Sequence, residues 1–67
     1  MKVTVRESAQ CPGEWLLFSG IRIMGTAHYS PERGAWCFEP YETQFTTAEL
    51  LGIADALDGI AKAKGKD

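Results

Sequence analysis

Apolar and polar positions alternate with a period of two through the first part of the chain and switch to a helical period near position 45. Residues 2–7 set Val3 and Val5 between Lys2, Thr4 and Arg6, the pattern of a half-buried strand. After Cys11, Pro12 and Gly13, which are turn chemistry, residues 14–18 (EWLLF) predict a second strand. Ser19-Gly20 then forms a two-residue connection to a third strand over 21–29. The run Pro31-Glu32-Arg33-Gly34 predicts a turn into a fourth strand over 35–39, reaching Tyr41 at its longest, and Pro40 suits a sheet edge because it has no N–H to give a ladder.

From residue 47 to about 64 the pattern is helical. Thr46 with Glu49 makes a capping box, and Phe45 with Leu50 fits a hydrophobic staple. Leu50, Ile53, Ala54, Leu57, Ile60 and Ala61 fall on one side, expected to face the sheet. Gly52, Asp55, Ala56, Gly59, Lys62 and Ala63 fall on the other. There Gly52, Ala56, Gly59 and Ala63 make a smooth stripe that another backbone could approach, the second candidate contact surface. Gly65 is expected to end the helix, with Lys66 and Asp67 fraying.

The turns imply a register. Pairing Ser8 with Gly13, Phe18 with Ile21 and Ser30 with Ala35 collects Val3, Val5, Leu16, Phe18, Ile21, Ile23, Ala27, Tyr29, Trp36 and Phe38 on one face of an antiparallel meander. That face is expected to lie under the helix. The other face then carries Arg6, Trp15, Met24 and Tyr41 in one row, Thr4, Leu17 and Arg22 in a second, and His28 beside Cys37 in a third. An uncovered face with this much apolar and aromatic surface beside arginines marks interaction. Arg6, Trp15, Leu17, Arg22, Met24, His28 and Tyr41 are therefore the primary candidate binding residues. The expected fold class is α+β, a meander of three or four strands with one C-terminal helix packed on one face.

Composition adds limits. A chain of 67 residues with a formal charge of −2 suits a single small domain with one thin core and shows no basic footprint for nucleic acid. Residues 1–8 lack the apolar run of a signal peptide and no stretch approaches a membrane span, so a cytoplasmic protein is expected. Cys11 and Cys37 fall on different parts of the meander, too far apart for a disulfide. His28 opposite Cys37 invites a metal or a nucleophile–base pair, but neither C-x-x-C nor H-x-x-x-H occurs and a flat sheet offers no pocket. No phosphate-binding glycine loop is present. No catalytic residue, metal or cofactor is expected.

In size, acidity and want of catalytic motifs the chain resembles the small stand-alone inhibitors of bacteriophages and mobile elements, of which anti-CRISPR proteins are the familiar case. The likeness is one of type and rests on no motif. It implies a non-catalytic module acting on a larger protein or complex. Two other readings stand beside it: single-stranded nucleic acid stacked on Trp15 and Tyr41 beside Arg6 and Arg22, and a homodimer whose open faces cover each other.

Overall fold

The computed structural model describes residues 2–42 and 44–64. Strands β1 (Val3–Glu7), β2 (Trp15–Ser19), β3 (Arg22–Ser30) and β4 (Ala35–Pro40) form one antiparallel sheet in chain order, and helix α1 (Thr47–Lys64) follows. This is the ββββα arrangement expected. The expected end of the helix at Gly65, and Lys66 and Asp67 beyond it, lie outside the described residues.

Helix α1 starts where its local chemistry says it should. The Thr46 hydroxyl accepts from the Glu49 N–H at 3.1 Å, and the Glu49 carboxylate accepts from the Thr46 N–H at 2.8 Å, closing the capping box. The staple differs: Leu50 is half exposed, and Phe45 sets its ring edge-on to Phe38 at 5.9 Å between centroids. Phe45 thus ties the helix start to β4. Thr46→Ala is expected to cost about 0.5–2 kcal/mol, read as a lower midpoint in chemical denaturation.

Two of the three connections are displaced by one residue from the expected register. In the first, Pro12 and Gly13 (φ +89°) are the central residues of a turn closed by the Glu14 N–H on the Cys11 carbonyl at 3.0 Å. Proline followed by a positive-φ glycine is the type II pattern. Ser8 therefore pairs with Glu14, its N–H donating to the Glu14 carbonyl at 2.8 Å, and Val5 meets Leu17, not Leu16. In the second connection Ser19 pairs with Arg22, so the turn residues are Gly20 and Ile21. Gly20 takes φ +66° at the first central position, the place a II′ hairpin reserves for glycine. The third connection is as expected, with Ser30 opposite Ala35 and Gly34 at φ +66°.

The displacement turns β2 over. Trp15 and Leu17 face the helix, while Leu16 and Phe18 face away. β3 absorbs the change with a bulge: Leu17 pairs with Gly25 and Phe18 with Ile23, which leaves Met24 as the extra residue. Beyond the bulge Ala27, Tyr29, Trp36 and Phe38 share the helix side, as expected. The buried core is Leu17, Met24, Ala27, Ile53 and Ile60, with Val3, Trp15, Trp36, Phe38, Phe45, Ala56 and Leu57 packed around it.

The helix is also rolled relative to expectation. Gly52 and Ala56 turn inward, a Cβ on Gly52 falling within 2.7 Å of Val3 Cγ2, while Leu50 and Ala54 are exposed. β4 occupies an edge, as Pro40 requires. The Tyr41 N–H donates to the Met24 carbonyl, and counting back in twos points the Glu39 and Cys37 amides inward and leaves position 40 facing out, where a missing N–H costs no ladder bond.

Candidate functional site

The sheet face opposite the helix is covered by no other element among the described residues, and its composition differs from the expected one. Trp15, Leu17 and Met24 do not lie on it: Leu17 and Met24 have no exposed surface, and Trp15 packs against the core. Arg22 is also displaced. It pairs with Ser19 on the helix side, and its guanidinium holds Glu42 at 2.5 Å and Glu49 at 2.7 Å. These hydrogen bonds, Glu42 first, raise the Arg22 pKa above its ordinary value. The Thr46 N–H, and then Arg22, draw the Glu49 carboxyl below the usual range despite some desolvation. Arg22 therefore clamps the helix start and the segment after β4 onto the β2–β3 turn.

Arg6 and His28 lie where they were expected. On the open face the rows are Thr4–Phe18–Ile23, then Arg6–Leu16–Thr26–Glu39, then His28–Cys37. Leu16, Phe18 and Ile23 form a half-buried apolar seam, and the Arg6 guanidinium carbon stands 5.6 Å over the Phe18 ring. Among the described residues no acid lies within ion-pairing distance of Arg6. His28 Nε2 lies 3.8 Å from Glu39 Oε1. Tyr41, just past β4, is 60% exposed.

At one end of this face is a residue the register had placed in the core. Ile21, in the β2–β3 turn, is fully exposed at 101%. It shares a hollow with Thr4, Val5, Arg6, Phe18 and Gly20. The signal for it was present in Gly20: a glycine that takes the first central position of a hairpin turn leaves its successor at the tip. A second cleft lies on the helix side, between Tyr29, Trp36 and the Leu57–Ala61 side of α1. There the Tyr29 ring stands edge-on to Trp36 at 6.1 Å.

Of the second candidate surface, Gly52 and Ala56 belong to the inner side of α1 and only Gly59 and Ala63 are exposed. Cys11 and Cys37 are free thiols, and Glu14, through a hydrogen bond and its charge, pushes the Cys11 thiol up from its ordinary value. Among the described residues no three His, Cys, Asp or Glu side chains gather closely enough to hold a metal ion, and no helix is long and apolar enough to cross a membrane. The chain matches no protein-family model, no curated protein sequence and no solved structure.

Proposed function

We propose that the chain is a non-catalytic protein-binding module that engages a larger protein or complex through the open sheet face, centred on Arg6, Leu16, Phe18, Ile21 and Ile23. The observation that carries this reading is Ile21, a large apolar side chain held wholly in solvent by its turn, beside a hollow whose other features are an aromatic ring and an arginine with no acid partner among the described residues. Folding gains nothing from an isoleucine at that place, whereas an apolar tip beside aromatic and arginine anchors is the make-up of a binding hot spot. Blocking a partner's working surface, in the manner of the small phage-type inhibitors, is the action this surface suits. The nucleic-acid alternative loses the Trp15 stacking platform and the free charge of Arg22.

Ile21→Ser tests the reading. Thermal unfolding is expected to match the wild type, because the side chain is outside every packed cluster. Affinity for a partner captured from the encoding organism is expected to fall about 30-fold, equivalent to about 2 kcal/mol. A wild-type chain that captures no protein, or a partner that binds both forms equally, overturns it.

A further inference from the structure

The two edges of the sheet are built differently. On β4 the outward-facing backbone positions include Pro40, which has no N–H to offer, and α1 packs against that strand. α1 also packs against β1, through Gly52 on Val3, but no proline interrupts the outward-facing backbone of that strand. The Ser8 N–H bonds to the Glu14 carbonyl, so the hydrogen-bonded pairs with β2 are Ser8–Glu14, Arg6–Leu16 and Thr4–Phe18, and the N–H and C=O groups of Val3, Val5 and Glu7 point away from the sheet. A hollow flanks this edge on each face. One is lined by Thr4, Val5, Arg6, Phe18, Gly20 and Ile21, the other by Lys2, Val3, Gly52, Asp55 and Ala56, beside the point where Gly52 packs on Val3.

We propose that β1 receives an extended segment of a partner polypeptide as an added strand, with acidic side chains on the Arg6 side and small apolar ones on the Val3 and Gly52 side. An open ladder edge supplies main-chain hydrogen bonds, and hollows on alternate sides select alternate side chains. The charge follows from Arg6, a cation on the edge strand without an acid partner among the described residues. A second copy of this chain is the wrong occupant. The outward groups are those of positions 3, 5 and 7, so a two-fold antiparallel pairing centres on Thr4, Val5 or Arg6. These registers set Arg6 opposite Lys2, diagonal to its own copy, or facing its own copy, and like charges so placed repel. The inference rests on the protein-binding reading above and adds the edge to the face.

The probe is a ten-residue peptide of alternating valine and glutamate, compared with its valine–lysine counterpart by fluorescence anisotropy, with amide hydrogen exchange followed by NMR. The glutamate peptide is expected to bind at least about tenfold more tightly and to slow exchange at Val3, Val5 and Glu7, while the Thr4 and Arg6 amides are already protected by β2. Arg6→Glu is expected to reverse the preference. Val5→Pro is expected to abolish binding while keeping the ladder to β2, since the Val5 N–H points outward. Equal binding of both peptides, no added protection at those three amides, or their protection in a self-associated chain without peptide would overturn the proposal. If peptide binding fails while Ile21→Ser still weakens partner capture, the edge falls and the open-face reading stands.

Discussion

Leu17→Ala is expected to destabilise the protein by about 2–5 kcal/mol, the range for truncating a fully buried leucine where the cavity closes only in part. Leu17 has no exposed surface and packs with Met24, Ala27, Ile53 and Ile60, so its loss separates the sheet from the helix at the centre of the core. A chain of 67 residues has about 3–10 kcal/mol of stability in all. The variant should therefore be largely unfolded at temperatures where the wild type is native. Leu16→Ala is the comparison, since the neighbouring leucine differs only in facing the open side, and it is expected to cost about 1 kcal/mol. Urea denaturation of the two variants decides which side of β2 lies under the helix. A larger loss for Leu16→Ala would put Trp15 and Leu17 back on the open face and remove the basis for the surface proposed here.

Elements and their order were legible because each rests on local chemistry. The Thr46–Glu49 capping box, Pro31 with Gly34, and the alternation of Val3 and Val5 need no knowledge of distant residues, and the structure has the cap, the turn and strand β1 where the pattern put them, although Val5, at the sheet edge, is exposed. Which side of β2 is buried was not legible. In EWLLF both alternating sets are apolar, Trp15 and Leu17 against Leu16 and Phe18, so the pattern cannot choose between them. The choice falls to the turns, and there Gly20 could serve as either central residue of a two-residue loop. The bulge at Met24 hid the consequence, because it restores the phase of β3 and leaves the Ala27–Phe38 and Tyr29–Trp36 pairs correct with β2 turned over. Arg6 and His28 held their places because the first strand and the last hairpin kept their parity. Arg22 did not, and its acid partners at 42 and 49 are too distant in sequence for a local pattern to bring to it.

Gly25→Ala is expected to cost about 1–3 kcal/mol or somewhat more, the scale of overpacking a filled interior, although alanine is ordinarily at least as easy to accommodate in a strand as glycine. The reason is contact, not backbone conformation, since Gly25 has no positive φ. A Cβ placed there falls 2.3 Å from the Glu39 carbonyl oxygen and 2.8 and 2.9 Å from two atoms of the Phe38 ring. The ring can turn aside, but the carbonyl belongs to β4, so the β3–β4 ladder would have to move with it. Displacing Phe38 also disturbs its edge-on contact with Phe45, the residue before the helix cap, so strain at the centre of the sheet reaches the start of α1. Gly59→Ala supplies the opposite sign. A Cβ on Gly59 meets nothing within 4 Å, and an exposed helical glycine replaced by alanine should stabilise by up to about 1 kcal/mol. Denaturation midpoints moving in opposite directions for the two glycines would establish that Gly25 is the slot into which Phe38 packs; a neutral or stabilising Gly25→Ala would show that β4 does not approach β3 as closely as this.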